Sequence, residues 1–199
     1  AAGRSSQEME AIVLAADWTE IFRDTPPRRE RAVRRKIDDY KPLFGFEVGL
    51  RDGSVALPKG VIAGVSIESF FREMAQPAAE ISGFDKLPVP YRAIATDLET
   101  GAAVVLGSGS VAQAMRASMS VPGGMAPVEI DGRLLVDGGL ADNLPIDLAR
   151  ATCDADVIIA VNIQTPLLRR EDITSAVGVL GQLVNLTEAV GETPVPGTT

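Results

Sequence analysis

The chain has 199 residues, 46% of them hydrophobic and 23% charged, which fits one globular domain and excludes a disordered chain. With 27 acidic against 19 basic residues the net charge is −8, which argues against nucleic acid as a partner. Cys153 is the one cysteine and histidine is absent, which excludes an internal disulfide framework and a Cys/His metal cluster, so no metal or other cofactor is expected.

The absence of histidine also restricts catalysis. A Ser-His-Asp or Cys-His mechanism needs an imidazole to take and return a proton near neutral pH. Acyl-transfer chemistry in this chain must use a carboxylate or a lysine as its base. No apolar run reaches the roughly 18–20 residues needed to span a bilayer. The opening AAGRSSQEMEAIV has neither an initiator Met nor the apolar core of a signal peptide, and reads as the start of a fragment or a processed chain.

In chain order, Ser5 and Glu8 have the spacing of a capping box, predicting a short helix over 5–16 with Met9, Ile12 and Val13 on its apolar stripe. Trp18, Ile21 and Phe22 continue the apolar pattern, with Trp18 expected in the core. Residues 25–42 carry two adjacent prolines and six basic residues between Arg28 and Lys36, and read as a surface loop or short helix. Arg28, Arg29, Arg34 and Arg35 are either an ordinary solvated face or a contact to anionic lipid head groups.

Residues 43–57 read as a hairpin about Asp52-Gly53. A helix over 66–75 follows, with Ser66 expected as its N-cap. Residues 89–98 and 102–109 read as two strands joined by the Glu99-Thr100-Gly101 turn, with Asp97 fixing that turn. Ser110 is the expected N-cap of the next helix, and 128–139 is a hairpin turning at Asp131-Gly132. Pro145 starts a helix over 144–152, with Asp147 near its N-terminus. DVIIAVNI (156–163) has the continuous apolar character of a buried parallel strand, and 171–190 reads as a long helix before a proline-rich tail at 191–199. This alternation predicts an α/β domain, with a mixed sheet covered by helices, over 1–190.

The candidate chemistry lies in VDGGLADNLPID. Asp137 ends an apolar strand and is followed by Gly138 and Gly139, residues that permit unusual backbone angles and close approach. Asn143 and Pro145 then set the next helix. On spacing alone, Asp137 is either a functional carboxylate or part of an ordinary turn. Asp142 is its rival, but lacks the preceding apolar strand.

The run SVAQAMRASMS (110–120) leads into VPGGMAPVEIDGRLLVDGGLADNLPIDLAR (121–150). Together with YRAIATDLETG (91–101), MEAIVLAADWTEIF (9–22) and RRKIDDYK (34–41), this ordered set resembles the patatin-like phospholipases, especially their bacterial branch, over nearly all of residues 5–165. The resemblance implies a three-layer fold with a mixed, mainly parallel sheet between helices. It also implies a Ser-Asp dyad acting on lipid acyl esters, in which Asp137 is the direct base for a serine on a G-x-S-x-G elbow, assisted by a glycine-rich oxyanion loop. Neither G-x-S-x-G nor the oxyanion loop occurs in these residues; GSGS at 107–110 fails the spacing. In the family the elbow lies just before the segment matching SSQEMEAIV. Nucleophile and oxyanion hole are therefore expected upstream, and these 199 residues alone are expected to be inactive. The alternative is a lipid-binding or interaction module that keeps the fold without the nucleophile. At Pro122-Gly123-Gly124 the family usually carries bulkier residues, so this loop is expected either to loosen and widen an acyl pocket or to be a neutral surface turn. Bacterial relatives include cytoplasmic and exported proteins, which leaves localisation open.

The lipid-contact reading is checked by liposome co-sedimentation. Binding to anionic vesicles is expected to fall when Arg28, Arg29, Arg34 and Arg35 are neutralised together, and unchanged binding returns the segment to an ordinary solvated face.

Overall fold

Two tight hairpins organise the chain around a four-stranded antiparallel sheet. In this computed structural model the described residues are 2–22, 49–51, 54–56, 62–153, 155–163, 166–173, 178–179, 181–183 and 185–186. The four arginines of the basic segment, and the tail from 191, lie outside them. The strands of the main sheet are β3 (Ala93–Asp97), β4 (Ala103–Leu106), β5 (Val128–Ile130) and β6 (Arg133–Asp137), in the order β4-β3-β6-β5. A separate antiparallel pair joins β1 (Gly49–Arg51) to β2 (Ser54–Ala56), with Arg51 opposite Ser54; the expected turn at Asp52-Gly53 lies outside the described residues.

Local chemistry explains the hairpins. Asp97 Oδ1 accepts from the amides of Glu99 (2.9 Å) and Thr100 (3.4 Å), and Gly101 takes φ +72°, turning β3 back into β4. Between β5 and β6, Asp131 (φ +52°) and Gly132 (φ +75°) form the doubly left-handed two-residue turn that matches strand twist. The register then places Ala95 opposite Asp137 and Thr96 opposite Val136.

Helix α1 (Ser6–Ala15) carries the expected capping box: Ser5 Oγ accepts from Glu8 N (3.2 Å), and Ser5 N donates to Glu8 Oε2 (2.8 Å). Helix α2 (Trp18–Ile21) follows. Helix α3 (Val65–Met74) lies against α4 (Val111–Ser118), which crosses β3 and β6. Ala112, Ala114 and Ala117 are small enough to bring α4 close to its neighbours, and Ala117 is buried with Ala95 and Leu135. A second cluster joins Phe84, Leu87, Ala93, Val111 and Ala114. All five residues of β3 are buried, so both of its faces are covered. Two short helices, α5 (Gly139–Asp142) and α6 (Ile146–Thr152), follow β6, with Pro145 capping α6 as expected. No helix among the described residues is long and apolar enough to cross a membrane.

Several expectations require correction. The fold is α/β, but every described strand pair is antiparallel. Neighbours joined by a short turn, as β3–β4 and β5–β6 are, cannot be parallel, and among the described residues the one parallel pairing is the isolated bridge Ile62–Met125. DVIIAVNI forms no strand: Val157, Ile159, Val161 and Ile163 are 72–89% exposed, without a hydrogen-bonded neighbour strand among the described residues. Trp18 is exposed rather than in the core, edge-on to Phe70 at 5.6 Å. Helix α3 is capped not by Ser66 but by Gly64, at φ +84°. Of the run 171–190, residues 171–173 are not helical, residues 178–179, 181–183 and 185–186 are, and the rest lie outside the described residues.

The turn account is checked at Gly132. A side chain at φ +75° is strained, so Gly132→Ala is expected to lower stability by about 1 kcal/mol, read from the urea midpoint. An unchanged midpoint would contradict it.

Candidate active site

Strand β6 delivers Asp137 to the end of the sheet. Leu135 and Val136 are buried in the strand and fix its register, and Asp137 is the half-buried last residue. Four hydrogen bonds then hold the Asp137–Gly139 segment. Asp137 N donates to Ser120 O (3.1 Å), Gly138 N to Ser118 O (3.4 Å), Thr96 Oγ1 to Asp137 O (2.7 Å), and Gly139 N to Asp137 Oδ1 (2.8 Å). The backbone is thus pinned both by β3 and by the turn that ends α4. One carboxylate oxygen is held by an amide, and among the described residues no group donates to Oδ2.

The electrostatics suit a base. Burial raises the Asp137 carboxyl above the ordinary aspartate range, and the Gly139 amide, which favours the anion, only partly opposes this. A carboxylate with a raised affinity for protons is better matched to accepting one from a hydroxyl near neutral pH. Asp142, at the end of α5, is also raised, first by burial and then by the negative charge of Asp147, against a bond from the Leu144 amide. Asp137 is the more deeply buried of the two and the one anchored to the sheet.

The glycines divide their work differently from the expectation of unusual angles. Gly138 has ordinary helical angles (φ −69°, ψ −25°). Its requirement is space: a Cβ there would stand 2.2 Å from Ile94 O and 2.6 Å from Ile94 C. Gly139 supplies its amide to the carboxylate and begins α5. Gly123 does need glycine's freedom, at φ +82°. Pro122 and Gly123 lie in a turn closed by bonds from Gly124 N (3.1 Å) and Met125 N (2.9 Å) to Val121 O, immediately after Ser120. That loop is tied rather than loosened, and Ile62 and Ala126 fasten it further through Ile62 N to Gly124 O (3.0 Å) and Ala126 N to Ile62 O (2.8 Å). Asn143 is exposed at the C-cap of α5, one helical turn beyond the carboxylate.

The structure therefore brings Asp137, Gly138 and Gly139 together with the turn leading into Pro122 and Gly123. It also shows residues that sequence reading missed: Thr96, Ser120 and the buried Arg116. Arg116 stands among the alanines of α4 four positions before a serine, and only its distant acceptors show it to be buried.

Comparison with known proteins gives the chain a family. Residues 1–150 match the family described as Patatin-like phospholipase. An uncharacterized NTE family protein of Mycobacterium tuberculosis is 41% identical over 104 residues, covering 52% of this chain and 28% of the relative. A second from the same organism is 42% identical over 127 residues, covering 64% and 20%. The patatin-like phospholipase domain-containing protein 7 of Mus musculus is 44% identical over 81 residues, covering 40% and 6%. The chain spans less than a third of the length of these relatives.

The close approach is tested by Gly138→Ala. The added methyl meets main-chain atoms that cannot step aside as a side chain would, so a loss of about 1–3 kcal/mol is expected in chemical denaturation. A variant as stable as the parent would contradict the geometry.

Proposed function

Because the chain belongs to the patatin-like phospholipase family, we propose that it is part of a lipid acyl hydrolase in which Asp137 is the base for a serine nucleophile. The observation that carries this reading is the environment of Asp137: a desolvated carboxylate at a strand end, one oxygen held by Gly139 N, in a chain with no histidine. The substrate class is a carboxylic ester of a lipid, such as a phospholipid or lysophospholipid. In this reading the serine and its oxyanion donors come from outside these 199 residues, in which neither motif occurs.

In the proposed reaction Asp137 Oδ2 takes the serine proton as the serine oxygen attacks the ester carbonyl. The tetrahedral intermediate collapses, the C–O bond to the alcohol breaks, and Asp137 returns its proton to the departing alkoxide. Asp137 then deprotonates water, which attacks the acyl-serine; collapse releases the fatty acid and restores the serine hydroxyl. Contact with a membrane surface through the basic segment Arg28–Lys36 would bring such a site to its substrate. We place the catalytic unit over residues 1–190.

The test is ester hydrolysis by the complete gene product and its Asp137→Asn variant. The variant is expected to lose about 10²–10⁴-fold in kcat, as general-base removal does. Retained activity would overturn the assignment. The pH dependence has a definite sign. Asp137 works ionised and its pKa is raised, so the acid limb of kcat/KM is expected above the ordinary aspartate value of about 3.9. The fold favours the protonated acid, so this group's contribution to stability is present at low pH and lost as pH rises through the raised pKa. Asparagine at 137 should therefore not lower the thermal midpoint at neutral pH.

A further inference from the structure

Arg116 is 1% exposed. Its guanidinium donates through NH1 to Ser120 Oγ and through NH2 to the carbonyls of Ala63 and Ala126, both at 3.0 Å. Those acceptors come from three segments: the approach to α3, the turn ending α4, and the approach to β5. Gly64 makes the passage possible, because a Cβ there would lie 2.1–2.4 Å from Nε, NH2 and Cζ of Arg116. Ser120 is fully buried, and its hydroxyl donates back to Arg116 O (2.7 Å) while accepting from NH1. The Ser120 carbonyl is the acceptor for Asp137 N, and Ser118 O in the same turn takes Gly138 N.

We infer that Arg116 and Ser120 are positioning residues for the Asp137 carboxylate, transmitting the rigidity of three fastened segments through the Ser120 carbonyl to the Asp137 backbone. This rests on the reading of Asp137 as base. Energetics favour a role in placement over one in stability. Desolvating a guanidinium costs several kcal/mol, and a well-packed apolar side chain of similar volume commonly stabilises a core as well or better. What an apolar residue lacks is direction: the planar fork fixes acceptors on separate segments at set angles. The fixed point lies where a small displacement matters, since a general base must stay within hydrogen-bond reach of the hydroxyl it serves.

The experiment uses the complete gene product with Ser120→Ala, Arg116→Lys, Arg116→Met and, as a control, Asp137→Asn. It reads kcat and KM on a soluble short-chain ester together with amide hydrogen exchange. Ser120→Ala and Arg116→Met are expected to lower kcat about 10- to 100-fold with KM nearly unchanged, as a misplaced catalytic group does. Exchange should accelerate at Asp137 and Gly138 while the β3–β4 amides keep their protection. Arg116→Lys, which retains a cationic donor, should recover more kcat than Arg116→Met. Parental kcat in both Ser120→Ala and Arg116→Met, or exchange that accelerates equally throughout β3 and β4, would overturn the inference; the latter would make the pair a structural element only. Full activity in Asp137→Asn would instead remove the base assignment, and with it the catalytic part of the inference, while the exchange measurement still decides whether the pair holds this backbone.

Discussion

The carbonyl of Ile94 occupies the space where a side chain at residue 138 would begin. The rest of the site depends on that approach. With no Cβ at 138, the chain leaving β6 stays against β3, where Thr96 Oγ1 reaches Asp137 O. The same course brings the amides of 137 and 138 to the carbonyls of Ser120 and Ser118. Asp137 thus has its backbone gripped from two sides, by a strand and by the turn closing a helix. The side chain has one oxygen bound to Gly139 N, and among the described residues no group donates to the other. Burial then acts on a group that cannot swing into water to relieve it, and this is the physical reason its proton affinity is raised.

Features fixed by a few adjacent residues were legible in the sequence. The capping box at Ser5 and Glu8, the Asp97 turn, the Ser110 cap and the Asp131-Gly132 hairpin each follow from groups within four positions of one another. The place of Asp137 at the end of a strand was legible for a different reason, because an apolar run, Leu134-Leu135-Val136, leads directly into Asp-Gly-Gly. What the pattern missed depends on distant partners. Arg116 reads as a surface cation until Ala63 and Ala126, 53 and 10 residues away, are seen to accept from it. Gly138 reads as a conformational glycine until Ile94 is found beside it. Residues 156–163 have the composition of a buried strand, yet composition alone supplies no neighbour. Ser66 lost the α3 cap to Gly64, whose left-handed angle and missing Cβ serve the Arg116 passage as well.

The match to the patatin-like phospholipases over residues 1–150 contains both the α4 turn and the Asp-Gly-Gly segment. A carboxylate is a weaker base than an imidazole, and a fold that uses one in that role must hold it in place and keep it partly dry. The hydrogen bonds about 137–139 and the half-buried strand end meet both conditions.

The most direct test of the central claim is covalent trapping. The complete gene product is treated with a fluorophosphonate, which esterifies activated serines with loss of fluoride, and the adduct is located by mass spectrometry. The account predicts one adduct, on a serine of a G-x-S-x-G elbow outside these 199 residues, and its loss in the Asp137→Asn variant. Undiminished labelling of that variant would contradict the role of Asp137 as base.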